Sequence, residues 1–155
     1  MRSSKALVIG ILIILINSCK EEEPYIHKCE DGVVKFELLN EDLNPGARLK
    51  DPGNFDINYE IIQSDDELFQ KLFISYLKKK IDFTTKSLIV ISIENVTRAS
   101  VMAQNVTANC ARNRLTITAD LRYWSTPVGG IDYVFAIVPK IPYDTGIEFI
   151  PTYTR

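Results

Sequence analysis
The chain has 155 residues, 46% of them apolar and 25% charged, room for one globular domain. Its net charge is −2, so no basic field is available to hold a nucleic acid. One His and three Cys exclude a two-His metal site and make a Ser-His-Asp triad improbable, and no cofactor motif is present.

The first segment reads as an address. Arg2 and Lys5 precede an apolar run of 11 residues, 6–16, with Asn17-Ser18-Cys19 behind it. That run suits a signal-peptide core and is short of the ~20 residues of a bilayer span. The competing reading is a short membrane anchor helix, which polar Asn17 and the acid that follows argue against. Ile16-Asn17-Ser18-Cys19 resembles the lipobox of bacterial lipoproteins. The resemblance implies cleavage after residue 18, acyl chains on Cys19, and a membrane partner through that anchor. Three chains would hold firmly where one holds marginally.

Lys20-Glu21-Glu22-Glu23 reads as a solvated tether over 19–30. Cys-Lys-Glu-Glu-Glu also resembles the acidic export signal of surface-exposed lipoproteins. The expected location is the outer membrane, facing either the cell surface or the periplasm. Outside the inner membrane two remaining cysteines favour pairing, so Cys29 and Cys110 are disulfide candidates. A loop of about 80 residues would make the bridge worth roughly 4 kcal/mol. The alternative is two free, half-buried thiols.

The globular part, 31–155, is read in chain order. Val34, Phe36 and Leu38 alternate with Lys35 and Glu37, which predicts a half-buried strand over 33–39. Residues 40–56 carry Asn44-Pro45-Gly46 and Asp51-Pro52-Gly53-Asn54, two turn signatures, and predict a loop. Ile57, Tyr59 and Ile61 predict a short strand. Ser64-Asp65-Asp66-Glu67 is a capping box opening an amphipathic helix. Its apolar stripe is Phe69, Leu72, Phe73 and Tyr76, widened by Leu68 and Leu77, and Lys78, Lys79 and Lys80 would close it.

Residues 87–93 are apolar on both faces and predict a central strand with the helix on one side. Strands follow at 99–107 and 115–123, joined by a turn at 109–113. Another spans 133–138, and the last, 147–150, ends before Pro151. The order β-β-α-β-β-β-β-β predicts a single α+β domain: an antiparallel sheet of about six to seven strands with one helix packed on it.

Little marks a reactive centre. His27 lies in the tether, two residues from Cys29, and that spacing makes no thiol–imidazole pair. Asp65, Asp66 and Glu67 are explained by capping. No residue is assigned as catalytic and none as a metal ligand. The candidate interaction site is a loop, with Tyr123 and the only Trp, Trp124, followed by Pro127, Gly129 and Gly130. A loop Trp anchors a partner or a sugar ring; the alternative is that it folds back over the sheet end. Residues 44–54, with Arg48, Lys50 and Asp51, and Phe55 just beyond, form a second candidate rim.

From about residue 59 to 150 the layout resembles the C-terminal domain of the protease-complex subunit PrcB family. It is carried by the capped helix, Ile81-Asp82-Phe83, the apolar strand, 114–121, and Val138-Pro139-Lys140. The family often has a Thr-Gly-Gly-Tyr turn where this chain has Glu94-Asn95-Val96-Thr97-Arg98. The resemblance implies a non-catalytic lipoprotein that assists a surface protease complex. The expectation is therefore a non-enzymatic module for a protein partner, or alternatively a glycan- or small-ligand-binding lipoprotein using the Trp124 loop.

Overall fold
The computed structural model describes residues 28–38, 47–53, 56–74, 77, 80–95, 98–125 and 129–154. The signal segment 1–18, Cys19 and the tether to residue 27 lie outside these, as do Phe55, Tyr76, Lys78, Lys79 and Pro127. Among the described residues no helix is long and apolar enough to cross a membrane.

The strands are β1 (Gly32–Val33), β2 (Glu37–Leu38), β3 (Arg48–Leu49), β4 (Ile57–Ile62), β5 (Leu72–Phe73), β6 (Lys86–Asn95), β7 (Ala99–Asn109), β8 (Arg114–Tyr123), β9 (Gly130–Pro139) and β10 (Gly146–Thr154). The helix α1 (Asp65–Lys71) lies between β4 and β5. The architecture is α+β and mostly strand. Two four-stranded sheets run in the orders β1-β7-β8-β10 and β2-β9-β6-β4, with a small β3-β5 ribbon.

β6 explains the layering. Leu88 and Val90 pack with Leu49, Leu68, Leu72 and Ile81 under the helix and ribbon. Ile89, Ile91 and Ile93 face the other way, against Val106, Ile117 and Leu121 of the second sheet. A strand covered on both faces has no solvent side, which is why it reads as continuous apolar sequence. Each fully buried side chain of this size contributes about 1.5–3 kcal/mol.

Four expectations are corrected. First, there is not one antiparallel sheet of six to seven strands: the described residues hold ten strands in two four-stranded sheets and the two-stranded ribbon, and β10 pairs with β8 in parallel. The chain leaves β9 at the end where β8 begins. The short 140–145 link cannot cross the molecule, so β10 starts beside Arg114 and runs the same way. Pro151 therefore lies inside β10, opposite Ala119, on an edge strand that tolerates a missing N–H.

Second, the helix stops after seven residues. Ser64 Oγ accepts from the Glu67 N–H at 3.1 Å, so the cap forms, while Glu67 Oε2 reaches the Gln63 N–H at 2.7 Å. At Leu72 the chain turns extended, and Leu72 pairs with Leu49. Phe69 and Phe73 are 58% and 50% exposed; the buried pair is Leu68 and Leu72. Lys80 lies far past the helix end and pairs with Asp65 at its start, 3.2 Å apart.

Third, the segment read as one strand over 33–39 divides. Gly32–Val33 pairs with β7 and Glu37–Leu38 with β9, so the chain crosses between sheets, with Val34 and Phe36 against the core. Leu38 is exposed. Fourth, the region read as a loop contains β3, and Leu49 is core.

Candidate functional site
The two long sheets define two poles. Cys29 and Cys110 are joined by a disulfide with Cα atoms 5.7 Å apart. This holds the entering chain at the β7–β8 hairpin, where Asp31 Oδ1 also accepts from the Cys110 N–H at 2.7 Å. β7 then runs the length of the molecule. Ten residue steps at about 3.3 Å put the two poles roughly 33 Å apart. At the far pole lie the ends of β6 and β8 and the starts of β7 and β9.

Asp132 organises that far pole. It faces inward from β9 and is 9% exposed. One carboxylate oxygen accepts from Arg98 Nε at 2.9 Å; the other accepts from Asn95 Nδ2 at 3.0 Å and the Ala99 N–H at 2.8 Å. A buried carboxylate needs such donors, and these tie β6, β7 and β9 together. Tyr153 stacks on Tyr123 with ring centres 4.9 Å apart, and its hydroxyl donates to Asn95 Oδ1 at 3.3 Å. Burial raises the Tyr153 hydroxyl pKa, helped by Tyr123 and Asp132.

Trp124 follows β8. Its N–H donates to the Arg98 carbonyl at 2.9 Å and its Nε1 to Ser100 Oγ at 2.8 Å. The polar edge of the ring is thus held against β7, while the side chain stays 56% exposed. Gly130 opens β9 directly under Arg98: a Cβ there would lie 3.0 Å from Nη1 and 3.1 Å from Cδ. Gly129 is exposed.

Arg98 and Gly130 lead into a groove of about 620 Å³ on the outer face of the β9 sheet. Its opposite wall is β3 and β5, contributing Arg48, Lys50 and Phe73, with Ile131 and Tyr133 on the floor. Of the two rims read in the sequence, residues 44–54 supply Arg48 and Lys50 to this groove and the Trp124 loop supplies only Gly130; Tyr123, Trp124 and Gly129 are not part of its lining. Arg48 and Lys50 both sit over the Phe73 ring, 5.2 and 5.5 Å from its centre. Lys50 Nζ donates to the Phe69 carbonyl at 2.6 Å. Burial raises the Tyr133 hydroxyl pKa against the opposing pull of Arg48, the Leu49 N–H and Arg98.

Arg98, Asp132 and Tyr133 were not among the sequence candidates. A signal existed: Asp132 stands between Ile131 and Tyr133-Val134 in an apolar strand, and such a carboxylate must find a cation or several N–H groups.

The motifs that carry the family resemblance meet elsewhere. Asp82 accepts from both the hydroxyl and the N–H of Thr84 and from Thr85 Oγ1, closing the turn after buried Ile81. Lys140 Nζ donates to the carbonyls of Phe83 at 2.8 Å and Gln63 at 3.1 Å. Nearby, the Tyr143 hydroxyl donates to Glu67 Oε1 at 2.7 Å. Each group is occupied in joining loops, so this cluster positions backbone rather than offering a free reactive atom.

Comparison of the chain with protein-family models, curated proteins and solved structures finds no match. Among the described residues no three His, Cys, Asp or Glu side chains gather where they could hold a metal ion.

Proposed function
We propose that this protein is a non-enzymatic, lipid-anchored binding module of the bacterial outer membrane that holds a protein partner at the cell envelope. One observation carries the reading. The disulfide ties the tether side of the domain to one pole, while the cationic and aromatic groove occupies the other. A chain anchored at Cys19 would present that groove away from its membrane. The resemblance to the PrcB family adds the kind of partner, a surface protease complex.

The test is a cross-linked pull-down of the intact lipoprotein from native membranes, read by mass spectrometry. A stoichiometric envelope protein supports the reading; recovery of the bait alone overturns it. Exposed Trp124, with its ring edge fixed by Ser100, favours a second reading, a glycan-binding surface. There Trp124→Ala should abolish binding of a glycan-array hit, and unchanged binding removes that reading.

A further inference from the structure
We infer that the groove between β3 and β9 takes an acidic peptide segment of the partner, whose carboxylates meet Arg48, Lys50 and Arg98. The inference rests on the binding-module reading and names the chemistry of its partner.

The charge on the groove wall is one-sided. Among the described residues, those lining it include three cations and no carboxylate, in a chain whose net charge is −2. Arg48 makes no ion pair among the described residues; its contact is the face of Phe73. Lys50 is held by a neutral carbonyl and by the same ring. Arg98 is balanced by Asp132, but through Nε, and its Nη1 lies over Gly130 at the groove. Two guanidinium groups offer flat forks suited to carboxylate oxygens.

The floor adds a hydroxyl. Tyr133 lines the same groove as Arg48 and Arg98, and its hydroxyl donates no hydrogen bond among the described residues. An incoming carboxylate can take the hydroxyl proton as a hydrogen bond while facing both guanidinium groups. Ala47, Pro52 and Ile131 supply apolar wall for the neighbouring side chains of a peptide. An acidic sugar fits less well. Arg48 and Lys50 already occupy the face of Phe73, and the exposed Trp124 is not among the residues lining the groove.

The experiment uses the full-length lipoprotein in neutral detergent. The probe is a fluorescent twelve-residue peptide alternating Glu with Val, with a Gln-for-Glu peptide as control and oligogalacturonate as competitor. The Glu peptide is expected to bind at least about tenfold tighter than the Gln peptide, and more weakly as salt rises. Arg48→Gln with Lys50→Gln, both at exposed side chains, should cost about tenfold or more. Arg112→Gln at the opposite pole should change nothing. Equal binding of both peptides, no loss in the double variant, or tighter binding of oligogalacturonate each overturns the inference. The pull-down separates the two ideas. A partner captured equally by wild type and double variant removes the groove and leaves the module; no partner at all removes the module.

Discussion

Arg98 Nε and Asp132 Oδ1 lie 2.9 Å apart, and this pair joins the start of β7 to the start of β9 at the pole farthest from the disulfide. The carboxylate is buried and Arg98 is half-exposed, so the pair's strength comes mainly from what else Asp132 accepts. Asp132→Ala strands the Asn95 amide and the Ala99 N–H. It is expected to cost about 2–4 kcal/mol, seen as a lower urea midpoint at unchanged slope. Asp132→Asn keeps one acceptor oxygen and should cost less.

Gly130→Ala tests the same junction from the other side. The new methyl meets Arg98 at about 3 Å, and Arg98 is already held by Asp132. The side chain must give way. A modest stability loss, about 1 kcal/mol, is expected together with weaker Glu-peptide binding. Unchanged binding would separate Arg98 from the groove's function.

The disulfide closes a separation of 81 residues. Cys29→Ser with Cys110→Ser should lower stability by about 2–5 kcal/mol, most of it through a less constrained unfolded chain. Urea titration of the double variant against the oxidised wild type measures this.

The pH profile follows from three groups. Burial pushes the Glu67 carboxyl up, but the Tyr143 hydroxyl, the Gln63 N–H, Lys71 and Lys140 together hold it below its ordinary 4.5. The hydroxyls of Thr84 and Thr85 and the Thr84 N–H hold Asp82 below 3.8. Folding favours both ionised forms. Their contribution is full above the unfolded values and is lost as pH falls through the lower folded ones. Glu67→Gln with Asp82→Asn should flatten the acid limb of the stability curve. Tyr143 behaves oppositely: burial, then its bond to Glu67, raises it to about 12. Its contribution is full below 10 and disappears as pH rises through 12, so Tyr143→Phe should flatten the alkaline limb.

Anchoring has its own test. Cys19→Ala is expected to move the protein from the membrane fraction to the soluble one. Retention in the membrane would overturn the lipoprotein reading.

Some of this was legible in the residues. The capping box at Ser64, the two-faced apolar β6 and the alternating β8 all lie where their patterns place them, because capping and burial act over a few residues. Helix length was not. Leu68, Leu72 and Phe73 fit a helical stripe, but Leu49, 23 positions before Leu72, captures it as a strand partner. Lys50 N–H then takes the Lys71 carbonyl at 2.8 Å. A local period cannot reveal a distant backbone competitor.

The candidate site divides the same way. The exposed Trp124 and the glycine that opens β9 are visible as residue types. That Gly130 meets Arg98, and that Arg98 shares a groove with Arg48 and Lys50, depends on segments some thirty to eighty residues apart being folded onto one sheet. The sequence by itself determined the burial of β6 and the inward face of β8, the start of the helix and the turn between β7 and β8, since hydrophobic burial, capping and φ preference are local. Only the tertiary structure decided the two-sheet layering, the parallel β10 and the groove, because these come from long-range backbone pairing and from one buried carboxylate finding its donors.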